Sequence, residues 1–375
     1  DRYTVALKED VTVWSWGNNF DGQLGDGEQF VDKSQPVQVR GLNQITKIAA
    51  GLEHTVALKE DGSVWTWGQN DFKQVGKSYD FPEVTQPMQV EGIKEAIDIA
   101  AGGSHTLVLL KDGTVWGFGS NVYCQLASDS VENFEKPIKI KKLNNIVKIA
   151  AGIHHTVAVK EDGTVWSWGE NRFGELGRGT ETRIEWEPMP VQGIEKVIQV
   201  AAGECYTAAI KEDGTLWVWG SNIYGQLAGE REFGRNEPRL VNEIKGAIGI
   251  AAGTAHSAVL KEDGSVWCFG RNEYYQLGDG TELAVRSKPI LVPGMKKVIA
   301  VATGGYHTVA LKEDGTVWAW GDNEHGQLGD GTDTEIARVP VKVKGLQEIR
   351  QIAASDFYTM ALKEDGTIWT WGDKS

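Results

Sequence analysis

The chain is poor in the residues that several function classes require. Its 375 residues include only three cysteines, Cys124, Cys205 and Cys268, too few and too scattered for a disulfide framework or a zinc site. No run of 18 apolar residues could span a membrane as a helix, and the first residues lack the basic-then-apolar order of a signal peptide. A start at Asp1, without Met, and a stop inside a motif suggest a processed chain or a piece of a longer one, so export stays open. Basic residues are in deficit too. Lys and Arg number 38 against 52 Asp and Glu, a formal charge of −14, with no basic cluster to offset it. Such a field repels a phosphate backbone, so nucleic acid is not an expected partner. Catalytic signatures are missing: no phosphate-cradling G-x-x-x-x-G-K-[ST] and no Ser/His/Asp or Cys/His arrangement stands out. The expectation is a non-enzymatic protein with no cofactor, no metal and no membrane insertion.

What is abundant has one explanation. Forty-six Gly and 15 Trp recur because the chain repeats itself. Residues 48–68 read IAAGLEHTVALKEDGSVWTWG and residues 301–321 read VATGGYHTVALKEDGTVWAWG. The Asp of this signature falls at Asp10, Asp61, Asp112, Asp162, Asp213, Asp263, Asp314 and Asp365, at gaps of 50 or 51. That leaves no room for a separate catalytic domain or a linker. With 41% apolar residues the chain can bury a core.

Within a unit, residues 55–68 alternate with period two on both sides of Asp61-Gly62, which predicts two antiparallel strands joined by a tight type I′ turn. A short strand of small residues (45–51) precedes them. A fourth strand follows, opened by Pro36, Pro87, Pro137, Pro188, Pro238, Pro289 or Pro340, where an edge tolerates the missing donor. Four short strands per 51-residue unit predict an all-β propeller. Ala-Ala-Gly suits the crowded inner strand. The Trp pairs (Trp14/Trp16, Trp65/Trp67, Trp166/Trp168, Trp217/Trp219, Trp318/Trp320, Trp369/Trp371), two apart and on one face, suit the wedge between blades.

The motifs AAGxxHT and ALKEDGTVWxWGxNxxGQLG resemble the regulator-of-chromosome-condensation (RCC1-like) repeat over essentially the whole chain, most closely in its bacterial form. The resemblance implies a seven-bladed β-propeller of four-stranded antiparallel blades spanning residues 1–375, closed by N- and C-terminal strands in one blade. Eight hairpins but seven Pro-led and seven small-residue strands make thirty strands where seven blades need twenty-eight. One terminal hairpin is therefore expected to be surplus, with an eight-position ring as the alternative. Val11 stands where a turn Gly is expected and weakens the first hairpin.

Residues present in every unit read first as building rules. The position three after the Ala-Ala-Gly glycine is His54, His105, His155, His256 or His307, but Tyr206, Tyr358 and Tyr3 elsewhere, and phenol does not replace imidazole in a metal ring. A structural role accepts both. The recurrent Asn19, Asn70, Asn121, Asn171, Asn222, Asn272 and Asn323 read as turn residues, and the Gln-Leu-Gly that follows reads as scaffold, with Glu175 replacing Gln once. Asp26-Gly27, Asp279-Gly280 and Asp330-Gly331 lack the alternating ligands of a calcium loop.

Function is expected where units differ, between the Gln-Leu-Gly motif and the Pro-led strand. There the aromatic and Arg residues Phe30, Tyr79, Phe81, Phe134, Arg183, Trp186, Arg231, Phe233 and Arg235 have no periodic partner and are of the types enriched at binding hot spots. Covering their own outer strand is the competing role. Among the functions the resemblance implies are nucleotide exchange on chromatin, ultraviolet-B reception, β-lactamase inhibition and repeats of bacterial surface proteins. This chain is acidic, lacks an insertion that could serve as an exchange wedge, and lacks the photoreceptor's GWRHT motif. The expectation is a protein-interaction scaffold, bacterial, secreted or on the cell surface, with a cytoplasmic location as the alternative. An enzyme-inhibitor role and a guanine-nucleotide exchange role on a small GTPase stand behind it. Self-association through the spare hairpin is a further expectation.

Overall fold

A computed structural model describes residues 3–8, 10–77, 83–230 and 232–373. Among the described residues every element is a β-strand, and these strands form eight antiparallel sheets in chain order. The second sheet shows the plan: Ile45–Ala50, His54–Lys59, Val64–Gln69 and Glu83–Gln89 lie side by side in that order. Residues up to Lys196 form one compact unit of four sheets, and residues from Val197 onward form another of four.

Eight sheets correct the expectation of seven blades. The first sheet has Tyr3–Leu7, Val13–Gly17 and Lys33–Gln38, without a small-residue strand; the eighth has Ile349–Ala354, Tyr358–Lys363 and Ile368–Gly372, without a Pro-led one. The eight-position alternative fits this count. No hairpin is surplus, because each of the eight copies seeds its own sheet. The local hairpin forms first in sequence distance and keeps whichever outer or inner strand lies next to it in the chain.

The hairpin turn differs from the predicted type I′. Lys59 O accepts the Gly62 N–H at 3.0 Å, the Lys59 N–H reaches Ser63 O at 2.9 Å, and in this turn only Gly62 has a positive φ, +77°. That is a type I turn closed by a glycine bulge, with the Asp61 carboxylate accepting the Ser63 N–H at 2.9 Å. Val11 adopts the same conformation at φ 58°, so the first hairpin forms with a β-branched residue in the left-handed region. The Pro-led strand also begins earlier than predicted. Pro87 is the fifth residue of its strand, at the point where the ladder slips between Thr66 and Gly68 and needs no donor.

The seams between successive sheets hold the core. The second Trp of the four middle pairs, Trp67, Trp168, Trp219 and Trp320, is fully buried, Phe118 and Phe269 take the same place, and in the end pairs Trp16 is buried and Trp371 half-buried. Burying about 200 Å² of indole at roughly 25 cal/mol per Å² is worth on the order of 5 kcal/mol. Trp67 packs with Val13 and Leu24 of the first sheet, and its Nε1–H donates to Gln23 O at 2.9 Å. The repeat equivalents Trp168 to Gln125 O and Trp320 to Gln276 O are 2.9 and 3.0 Å. Gly25 is required beneath this indole, since a Cβ there would lie 2.7 Å from Trp67 Nε1. The first Trp is half-buried in every pair but the last, where Trp369 is 50% exposed; at Trp166 a Lys of the same hairpin caps the ring, with Lys160 Nζ 4.1 Å from its centre.

Candidate protein-binding face

The repeated polar residues are consumed by the seams. His54 Nε2 lies 3.0 Å from Thr106 Oγ1, His256 from Thr308 at 3.0 Å and His307 from Thr359 at 2.8 Å, each pair spanning two sheets. Tyr206 replaces the imidazole with a phenol that donates to His256 O at 3.0 Å. Burial pushes His54, His105 and His256 down to about 3 and His155 and His307 to about 4, so all stay neutral. The Asn residues brace the loop, as Asn121 Oδ1 accepts the Leu126 N–H at 2.8 Å. The Gln side chains do likewise, as Gln74 Oε1 accepts the Phe72 N–H at 2.9 Å. Where Glu175 replaces Gln, burial pushes its carboxyl up to about 7, with Glu170 adding repulsion. Among the described residues no group of three or more His, Cys, Asp or Glu could hold a metal ion.

The residues singled out in the variable stretches are dispersed. Phe30 is 63% exposed and stacks edge-on against Phe20 at 4.9 Å. Phe134 is half-buried against the core of its own neighbourhood. Arg183 is exposed, and Trp186 is 47% exposed on the outer strand Ile184–Pro190. Phe233 is 63% exposed, and Arg235, on the outer strand Gly234–Leu240, pairs with Glu232 at 3.7 Å. Tyr79, Phe81 and Arg231 lie outside the described residues.

A more continuous surface comes from two positions that the sequence reading did not single out as binding residues. The Asn and Gln braces fix the fourth residue after each WG or FG glycine, and at several seams it meets the residue just before the seam His or Tyr of the next sheet. Tyr123 faces His154 with ring centres 4.4 Å apart, Tyr274 faces Tyr306 at 4.8 Å, and His325 faces Phe357 at 5.1 Å. At the first seam the pair is Asp21 and Glu53, and burial with repulsion from Glu53, Asp71 and Glu83 pushes Asp21 up to about 6. In the second unit the pairs merge. Tyr306 lies 6.1 Å from Phe357, and the Arg271 guanidinium sits over Tyr224, Tyr274 and Tyr306 at 5.1, 5.6 and 5.3 Å. Its Nε–H donates to Glu273 at 2.6 Å. This arc crosses four sheets at one end of their strands. Both positions change from unit to unit, and so do their neighbours, so variation alone does not single them out.

A profile of the RCC1-like domain matches residues 1–242 and 142–375. The chain is 31% identical over 372 residues to mouse E3 ubiquitin-protein ligase HERC2, covering 96% of this chain and 6% of that protein. It is 34% identical over 345 residues to the Arabidopsis thaliana ultraviolet-B receptor UVR8, covering 89% and 78%. The crystal structure of Prp20p from Saccharomyces cerevisiae, described with its binding to Gsp1p and histones, aligns at a TM-score of 0.77 and 25% identity, covering 97% and 94%. The chain thus spans a small fraction of the ligase and most of the other two.

Proposed function

Because the chain belongs to the RCC1-like domain family, we propose that it is a non-enzymatic interaction module that engages a protein partner through the turns that differ from sheet to sheet. The observation that carries this reading is the division of labour in the seams. The His, Thr and Gln of the repeat and the second Trp of the middle pairs are buried and mutually engaged, whereas Phe30, Arg183, Trp186 and Phe233 of the turns and outer strands stay open to solvent. Aromatic and Arg side chains on a rigid support supply binding energy at small entropic cost. The near-identity of the units supports a bacterial module that is secreted or displayed at the cell surface, in the manner of repeated surface proteins.

The test is affinity capture with the intact chain and with chains in which residues 178–187, residues 228–237 or Tyr306 are replaced. A partner recovered by the intact chain and lost with one replacement, at unchanged melting temperature, supports the reading. Equal recovery throughout refutes it. The exchange-factor alternative is checked by following nucleotide release from a small GTPase. Acceleration by catalytic amounts of this chain would favour exchange over scaffolding.

A further inference from the structure

Resting on the reading that the turns form a binding face, we propose that the arc Tyr274–Tyr306–Phe357–His325 docks a cationic segment of the partner, an Arg- or Lys-bearing peptide whose charged side chain lies against Tyr306 and Phe357. The protein already demonstrates the fit with a cation of its own. Arg271 lies within 5.1–5.6 Å of three tyrosine rings and is held there by a carboxylate, Glu273. Ring faces attract a cation through their quadrupole, and a nearby carboxylate adds charge and direction.

The other half of the arc repeats these components around a different ring pair. Phe357 follows Asp356, whose carboxyl lies against Gly305, where a Cβ would stand 2.7 Å from its Oδ1. His325 follows Glu324, whose N–H donates to Asp322 Oδ1 at 3.2 Å. Glu204 belongs to the same end of the strands, and burial with repulsion from Asp356 pushes its carboxyl upward, which puts it within electrostatic reach of the carboxylate that precedes Phe357. An anionic or phosphorylated partner would meet these carboxylates, while Arg271 is already engaged by Glu273. The formal charge of −14 adds long-range attraction for a cation and repulsion for an anion.

The experiment is titration of the full chain, followed by fluorescence anisotropy, with a labelled ten-residue peptide of alternating Gly and Arg. Gly-Lys and Gly-Glu peptides of equal length serve as comparators. The Arg peptide is expected to bind, more weakly as salt rises, and the Glu peptide not to bind. Tyr306→Ala and Phe357→Leu, which leave net charge unchanged, should each weaken binding about five- to tenfold, as should Asp356→Asn; the change Ile97→Ala at an exposed residue outside the arc should not. Arg271→Ala vacates the internal cation and should strengthen binding, a gain that misfolding cannot mimic. No binding of the Arg peptide, equal binding of the Glu peptide, or full affinity in folded Tyr306→Ala and Phe357→Leu chains overturns the proposal. Sedimentation without peptide reports a second copy as occupant, and dimerisation abolished by Phe357→Leu would count against a peptide ligand. A partner captured by the intact chain that carries no cationic segment sinks this inference alone. Equal capture after every replacement sinks the reading beneath it.

Discussion

The hydroxyl of Thr106 stands 3.0 Å from Nε2 of His54 in the preceding sheet and 2.9 Å from the carbonyl of Gln74. The hydroxyl proton goes to the carbonyl, so the hydroxyl accepts from the imidazole and the ring carries its proton on Nε2. A single threonine thus joins two sheets. Thr106→Val keeps the volume but leaves a buried N–H and a buried carbonyl short of a partner. A loss of about 1–3 kcal/mol is expected in urea unfolding, whereas the exposed Thr46→Val change should cost almost nothing.

The five buried imidazoles make stability pH-dependent on the acid side. Each has a folded value near 3 or 4 against an ordinary 6.5, so the unfolded chain takes up protons first as pH falls. Stability is full above 6.5 and is lost progressively below it. Melting temperature should drop steeply between pH 6.5 and 4. His256→Tyr, which borrows the solution used at Tyr206, should make that drop shallower by the share of one proton.

Glu175 acts in the opposite sense. Its folded value near 7 exceeds the ordinary 4.5, so its favourable contribution is present below 4.5 and disappears as pH rises through 7. Glu175→Gln restores the residue found in the other units. Calorimetry should show a gain of up to about 3 kcal/mol at pH 8 and little change at pH 4.5. An equal gain at both would mean that packing, not charge, limits this site.

Val11 occupies a left-handed turn position that Gly62, Gly113, Gly163, Gly214, Gly264, Gly315 and Gly366 fill elsewhere. Val11→Gly removes a backbone penalty of roughly 1–2 kcal/mol, part of which returns as glycine's larger unfolded entropy. A net rise in melting temperature is expected. Gly62→Val should be worse than merely reversing it, because a Cβ at Gly62 would fall 2.8 Å from the Cα of Glu95.

The sequence by itself determined the repeat, the strands and most of the seam. Period-two alternation, a 50- or 51-residue spacing and the interchange of His54 with Tyr206 and Tyr3 are local or periodic facts, and they sufficed to assign the rings a structural role. The tertiary structure decided three things that periodicity cannot encode. The number of sheets depends on which terminal strand joins which hairpin, a competition between pairings of near-equal chemistry, and it came out as eight. Whether Trp186 and Arg235 belong to loops or to outer strands depended on a ladder that slips at its proline. The meeting of Tyr274 with Tyr306, and of His325 with Phe357, joins residues 32 apart in neighbouring units. No pattern within one unit reports such a contact, because its two partners lie in different units.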